Sequence, residues 1–222
     1  MCIRDRYTIR LVLLGTLIAL MIAIPLGIIA AVRQNSILDM LVMTFSFFFI
    51  STPTFWLGLI MLFFFSFRLG WFPAIGGEEG HFFGYLSYLV LPSFCLGIRQ
   101  AGQLSRMVRS TMVDTLSKEY ITVARSKGVN EHVIRYKHAL RNALSPVISL
   151  LGVTLAIALG GVVILEVVYS RPGLGRLYVN AVGARDYPLI QGCLLIIAIV
   201  VVVINMLVDI SYGLIDPRIR HE

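Results

Sequence analysis

Charged residues are scarce in this sequence. Asp, Glu, Lys and Arg make up 14% of the 222 residues, whereas 58% are apolar. A soluble domain typically carries about 25% charged residues. The deficit excludes an ordinary soluble protein, and the long runs without any charge indicate transmembrane helices. We therefore predict an all-α, polytopic membrane protein.

Motifs for catalysis and metal binding are absent as well. The three cysteines, Cys2, Cys95 and Cys193, have no paired spacing that would indicate a disulfide framework or a metal site. The sequence contains no H-E-x-x-H, no G-x-S-x-G and no G-x-x-x-x-G-K-[ST]. The sequence therefore lacks the motifs expected of an intramembrane enzyme, and this chain is not expected to bind ATP by a P-loop. If ATP drives the protein, another subunit binds it, and no cofactor is expected here. The four histidines all lie outside the apolar runs: His81, His132, His138 and His221.

The charge that is present is mostly of one sign and is concentrated in one segment. The net charge is +7, and nine of the 19 Lys and Arg residues lie between positions 99 and 141, with only three acidic residues among them. This basic segment lies beside apolar runs, where Lys and Arg mark the cytoplasmic side of a membrane. We favour this topological interpretation over binding of nucleic acid.

The apolar runs predict five membrane spans. A helix rises about 1.5 Å per residue, so about 20 residues cross a hydrocarbon core of about 30 Å. The second run contains 28 residues, more than a span needs, which predicts a tilt or a kink near Pro53. The predicted spans are residues 11–32, 40–67, 86–108, 146–168 and 188–208.

The loops predict which way the chain crosses. Residues 68–85 are aromatic and slightly acidic, so this loop is expected to face outward. Glu78, Glu79 and His81 within it could be drawn as a metal site, but a solvated loop is the favoured interpretation.

The start of the chain does not fit this topology by itself. If the basic segment and the tail at 215–222 are cytoplasmic, the first span enters from outside. A missing upstream helix explains this simply. We interpret residues 1–6 as an artefactual start and assign residues 7–214 to one transmembrane domain with a cytoplasmic coupling segment at 114–143.

Three polar residues lie near or within the predicted spans, but the sequence assigns no pocket to them. Arg99 either reaches the interface by snorkelling, which we favour, or lies in a polar cavity between helices. Glu166 lies at the outer end of the fourth span, and Asn205 lies in the fifth.

The basic segment contains the pattern of a short amphipathic helix. Ser117 is the expected N-cap, Glu119 would lie in the first turn, and Gly128 would end the helix. Its apolar face would be formed by Tyr120, Val123 and Ala124, with the basic residues Lys118, Arg125 and Lys127 elsewhere. The pattern alone leaves open a helix that lies flat on the lipid surface.

A second helix is expected to follow directly. Asn130 can cap a helix over residues 131–144, which leads into the fourth span at Pro146.

The motifs of this segment resemble a known family. E-Y-I-T-V-A-R-S-K-G at 119–128, followed by H-A-L-R-N-A-L-S-P at 138–146, resembles the E-A-A loop of type I ABC importer permeases. Glu119, Ala124, Gly128 and Pro146 match that loop, whereas Tyr120 and Ile121 stand where small residues often occur. Further matches are L-G-W-F-P at 69–73, S-R-P-G-L-G-R at 170–176, R-D-Y-P-L-I-Q-G at 185–192 and D-P-R-I-R at 216–220. Together these resemble the dipeptide/oligopeptide/nickel permease family, in particular the subunit with the longer N-terminal part.

The resemblance implies a role in transport across the prokaryotic cytoplasmic membrane. It implies three kinds of protein partner: a second, similar permease subunit, two ATP-binding subunits that hold the ATP, and an extracytoplasmic solute-binding protein. The expected solutes are peptides, with nickel or another small solute as an alternative, and a membrane scaffold without transport as an alternative of another class. The residues implied to couple the chain to the ATPase are Glu119, Tyr120, Val123, Ala124, Lys127 and Gly128.

Overall fold

The structure, a computed structural model, describes residues 2–73 and 82–215, and the side chains of residues 6–73, 87–207 and 210. The described chain is helical and contains no strand, so the all-α prediction is confirmed. Glu78, Glu79 and His81 lie outside the residues whose side chains are described. The helices are α1 (Cys2–Val32), α2 (Ile37–Ser51), α3 (Thr54–Met61), α4 (Phe82–Leu116), α5 (Glu119–Ser126), α6 (Glu131–Val133), α7 (Leu140–Val168), α8 (Leu174–Ala184) and α9 (Tyr187–Ile215).

Glycines allow α1 and α4 to touch along their backbones. A Cβ on Gly97 would stand 2.6 Å from the carbonyl oxygen of Gly15, and a Cβ on Gly27 would stand 2.6 Å from the Cβ of Val108. Small residues permit this close approach of membrane helices. Because Gly15 meets Gly97 and Gly27 meets Val108, position rises along both helices together. The two helices therefore run parallel.

The segment between α1 and α4 is broken at Pro53. Proline lacks a backbone N–H and disfavours the helical conformation for the residue before it. Accordingly Thr52 is extended, and both its N–H and its hydroxyl group donate to the carbonyl of Phe48, at 3.1 and 2.7 Å. The helices on either side form an angle of 102°. The predicted kink near Pro53 is confirmed, although the bend is sharper than the kink of a single continuous helix.

The test for a membrane-crossing helix is its length and apolar composition. Three described segments meet that test, Arg6–Val32, Glu131–Val168 and Tyr187–Leu207, and the bent pair Ile37–Ser51 and Thr54–Arg68 makes a fourth if it is one span. Because α1 and α4 are parallel, the chain between them returns to the level at which α1 begins, and the bent pair lies in this connection. The count of five spans, with residues 86–108 on α4 as the third, stays a prediction.

The fourth predicted span is the end of a longer helix. Residues 131–168 form one continuous segment of 38 residues, in which α6 and α7 are joined by a π-helical stretch, Ile134–Ala139. Pro146 lies inside α7. The prediction of a separate helix at 131–144 is therefore wrong about where this helix ends, because the helix continues through Pro146 into the span.

Two apolar clusters fill the bundle, one toward each end. The first contains Leu11, Leu91, Leu165 and Tyr169. The second contains Ala23, Met112, Ala143 and Val147, and lies at the end that carries the basic segment. We call this the basic end and the other the opposite end.

The contact of α1 with α4 predicts the effect of adding one methyl group. Gly97→Ala forces a Cβ against the Gly15 carbonyl oxygen, and overpacking of this kind costs about 1–3 kcal/mol. We expect a lower midpoint in thermal unfolding of the detergent-purified protein. Gly160→Ala is the matched control because no atom lies within 4 Å of its Cβ. Equal midpoints for the two variants would contradict the close approach.

Candidate functional site

The candidate coupling helix, α5, begins later than the sequence suggests. Its N-cap is Lys118, which makes no side-chain capping hydrogen bond. The prediction that Ser117 is the N-cap is wrong. Helix α4 continues to Leu116, so Ser117 belongs to its last turn and donates its hydroxyl to the carbonyl of Asp114 at 2.8 Å. Glu119 does lie in the first turn of α5, where the helix dipole favours an anion.

Helix α5 ends at Gly128 as expected. Gly128 has φ +76°, a conformation that residues with a Cβ rarely adopt. The N–H of Gly128 donates to the carbonyl of Arg125 at 2.9 Å, and the N–H of Val129 donates to that of Ala124 at 3.2 Å. This pair of hydrogen bonds is the Schellman motif, which satisfies the last carbonyls of the helix.

The buried anchor of α5 is a residue that the sequence reasoning missed. Ile121 is fully buried, whereas Tyr120 is 42% and Val123 is 50% exposed. Helix α5 packs against the π-helical stretch Ile134–Ala139, in which Ile134 is also fully buried. The predicted apolar face of Tyr120, Val123 and half-buried Ala124 therefore points partly away from the bundle. The only signal in the sequence for this burial was that Ile121 is apolar, as are Tyr120 and Val123 on either side of it.

Polar contacts fasten α5 to the long helix that follows. The side-chain amide of Asn142 donates to the Tyr120 hydroxyl at 2.8 Å. The Nε of Arg125 lies 2.7 Å from a carboxylate oxygen of Glu131. Asn130 accepts a hydrogen bond from the N–H of His132 at 2.9 Å, so its prediction as a cap is confirmed. Exposed ion pairs contribute about 0–1 kcal/mol, so the buried Ile121 and the two helix caps fix this geometry.

A buried carboxylate organises the opposite end. Glu166 is fully buried and accepts hydrogen bonds from the Thr8 hydroxyl at 2.6 Å, the Gly175 N–H at 2.8 Å and the Arg176 N–H at 3.1 Å. Gly175 and Arg176 are in the first turn of α8, whose N–H groups have no partner inside the helix. Glu166, on α7, thus caps α8 across the connection.

The glycine before α8 makes room for this carboxylate. A Cβ on Gly173 would stand 2.0 Å from the carboxyl carbon of Glu166, so no larger residue fits without moving it. Arg171 in the same connection is fully buried. It donates to the Tyr88 carbonyl at 2.9 Å and lies 4.7 Å over the Tyr88 ring. The S-R-P-G-L-G-R motif therefore fastens α7 and α8 to α1 and α4.

Arg99 and Asn205, the other two polar residues named from the sequence, belong to neither the basic end nor the opposite end. Arg99 is half-buried near the middle of α4, and its buried Nε has no hydrogen-bond partner among the described residues. This position favours the polar-cavity alternative over snorkelling. Asn205 is exposed on α9. Among the described residues no cluster of three His, Cys, Asp or Glu side chains could hold a metal ion.

The fold and these ends define an all-helical protein with several segments long and apolar enough to cross a membrane. A family model described as "Binding-protein-dependent transport system inner membrane component" matches residues 23–221. The chain belongs to this family, which confirms the resemblance seen in its motifs.

Curated relatives are similar over most of the chain. It is 42% identical over 218 residues to the oligopeptide transport system permease protein AppB of Bacillus subtilis (strain 168), covering 96% of this chain and 69% of the relative. It is 37% identical to the di/tripeptide transport system permease protein DppB of Pseudomonas aeruginosa (strain UCBPP-PA14), covering 97% and 70%.

Solved structures share the fold at lower identity. The inward-facing MetNI methionine ABC transporter matches with a TM-score of 0.76 at 20% identity, over 95% of this chain and 93% of that one. An amino acid ABC transporter crystallised with histidines matches with a TM-score of 0.65 at 14% identity, over 97% and 92%.

The Glu166 site predicts a local effect of a nearly isosteric change. In Glu166→Met, a side chain of similar length replaces the carboxylate, so both Thr8 and the first turn of α8 lose their acceptor. A buried donor left unsatisfied costs about 1–3 kcal/mol. We expect the Gly175 and Arg176 amides to exchange hydrogen with solvent about ten-fold or more faster, measured by hydrogen–deuterium exchange.

The matched control for this change is Asp186→Asn. Asp186 also accepts from a helix amide, that of Leu189 at 3.2 Å, but it is exposed. This control should leave exchange at Gly175 and Arg176 unchanged. Unaltered exchange at those two amides in Glu166→Met would refute the capping role.

Proposed function

We propose that the chain is a permease subunit of an ATP-driven peptide importer, coupled to ATP-binding subunits through α5. The observation that carries this proposal is the exposed apolar pair Tyr120 and Val123 on a helix held by a buried anchor, Ile121, at the basic end. A helix that only lay on lipid would not need a buried anchor and a fixed connection to a membrane-crossing helix.

The partners follow from the family. The family description refers to binding-protein-dependent transport, which supports an extracytoplasmic binding protein as the source of the solute. A second, similar permease subunit would complete the pathway, and two ATP-binding subunits would hold ATP. The relatives named above are called peptide permeases, which favours peptides over nickel as the solute.

The mechanism we propose is mechanical. ATP-driven closure of the ATP-binding subunits moves α5, which sits in a cleft of one of them. Since α5 is fastened to the helix at 131–168, which is ~57 Å long at 1.5 Å per residue, the movement reaches the opposite end of the bundle. The bundle then alternates between inward-facing and outward-facing states. The proposed coupling residues Glu119, Lys127 and Gly128 set the orientation and the end of α5.

Substitution of the exposed face tests docking. Val123→Asp puts a charge into the proposed contact, where an unpaired buried charge is strongly unfavourable. We expect co-purification of the ATP-binding subunits with this chain to fall about ten-fold or more. Val179→Asp, on an exposed valine of α8 at the opposite end, should leave it unchanged. Equal recovery of the ATP-binding subunits from both variants would argue against docking through α5.

Substitution of Gly128 tests coupling. No atom lies within 4 Å of its Cβ, so a larger residue acts through the backbone alone, at about 1–2 kcal/mol for φ > 0. Asparagine tolerates this conformation better than alanine, and valine tolerates it least. We expect uptake per ATP hydrolysed in proteoliposomes of the complete transporter to fall in the order glycine, asparagine, alanine, valine.

A second glycine provides the control for Gly128. Gly70 also has a positive φ, +62°, and an open Cβ position, but it lies far from α5 in the chain. Gly70→Val carries the same kind of strain and should keep the uptake-to-hydrolysis ratio of the unaltered protein. If Gly128→Val also kept that ratio, the coupling role of the helix end would be refuted.

A further inference from the structure

A cavity of about 680 Å³ opens between α2, α4 and α7. Its walls are mixed in character. Met43, Phe47 and Leu150 provide apolar surface, and Gln103, Arg106 and Ser110 provide polar groups. Binding sites for small molecules typically have this size and this combination of apolar wall and few polar groups.

One of the two arginines at the cavity is already neutralised. Arg109 and Asp39 form a two-pronged ion pair, with nitrogen–oxygen distances of 2.5 and 2.6 Å, and Asp39 is buried. This pair joins α4 to the first turn of α2. Its charges are matched, so it offers little attraction for an anion.

The other arginine has no carboxylate partner in the described part of the chain. The guanidinium of Arg106 lies 4.8 Å over the ring of Phe47, and the residue is exposed. Stacking on an aromatic ring orients a guanidinium and leaves its N–H groups free to donate.

The depth of Arg106 indicates what its surroundings are. Arg106 comes three residues before Arg109 along α4, so it lies ~4.5 Å farther from the basic end than the ion pair. A charged side chain at such depth faces protein or a water-filled space, because exposure to hydrocarbon is costly. We therefore expect the cavity to contain water.

We propose that this cavity binds the free carboxylate end of the peptide during transport, with Arg106 as the carboxylate's partner. The inference rests on the proposed function and adds a solute-binding site to it. A guanidinium donates two parallel hydrogen bonds to a carboxylate. Gln103 supplies hydrogen-bonding groups for the peptide backbone, while Met43 and Leu150 contact apolar side chains. Such a site is sequence-tolerant, because every linear peptide ends in the same carboxylate.

The test uses a reporter thiol at the mouth of the cavity. Ser110→Cys is introduced into the complete membrane complex, without the binding protein, in nanodiscs of neutral phospholipid. The rate of labelling by a charged maleimide is measured, with the chain lacking this change as the background. We expect tri-L-alanine at millimolar concentration to slow labelling several-fold, and its C-terminal amide to have no effect.

Variants of Arg106 identify the group responsible. Arg106→Gln should raise the peptide concentration for half-maximal protection about ten-fold, and Arg106→Lys by less, because lysine keeps the charge but not the paired donors. Arg68→Gln is the matched control: Arg68 also lies over a phenylalanine ring, that of Phe63 at 6.0 Å, but it does not line the cavity. It should leave protection unchanged.

The outcomes separate this proposal from the proposed function. Equal protection by acid and amide, or protection unaffected by Arg106→Gln, overturns the carboxylate site. If anionic phospholipid in the nanodisc blocks labelling and Arg106→Gln restores it, the cavity is a lipid site and the proposal is also overturned. ATP-dependent peptide uptake by the unaltered complex with its binding protein is measured in parallel, and its absence refutes the importer function itself.

Discussion

The rest of the bundle depends on the backbone contact between α1 and α4. Gly15, Gly27 and Gly97 let the two helices approach until a single methyl group would collide with a backbone carbonyl, and this contact makes them parallel. Parallel helices require the intervening chain to return to the level at which α1 begins, and the segment broken at Pro53 lies in this return. The same contact sets the level of Arg106 and Arg109 on α4 opposite α2. In a membrane, where apolar surface between helices is not driven together by water, such close packing is a main source of association.

Each end of the long helix at 131–168 stabilises a neighbouring short helix by a different means. At the opposite end, Glu166 satisfies the first N–H groups of α8 because Gly173 has no side chain to do so. At the basic end, Ile121 packs α5 onto the π-helical stretch, and the turn at Gly128 and Asn130 fixes the angle between the two helices. Both short helices are therefore fastened to the long helix, and both present exposed residues to the outside of the bundle.

Features that depend on local chemistry could be predicted from the sequence. Pro53 indicated a kink, Gly128 a helix end, and Asn130 a cap, since each acts through its own backbone or the next turn. Features that depend on distant contacts could not. The partner of Glu166 is Thr8, 158 residues away, so the sequence revealed only a polar group at the end of a span. Ser117 was misassigned because the length of α4 is set by packing, and Ile121 was missed because its burial depends on α5 folding back onto residues 134–139.

The proposed solute site and the proposed coupling helix share the same two helices. Helix α4, which carries Arg106, ends at Leu116, two residues before the Lys118 cap of α5. Helix α7 contributes Leu150 to the cavity. Near the start of α7, Asn142 donates a hydrogen bond to Tyr120 of α5. The third wall, α2, is tied to α4 by the Asp39–Arg109 pair. A displacement of α5 therefore moves two walls directly and the third through an ion pair, so the cavity cannot keep its shape while α5 moves. Binding of the carboxylate and movement of the coupling helix are in this way linked through one set of contacts, and a ligand that favours one shape of the cavity shifts the equilibrium between the two states of the bundle.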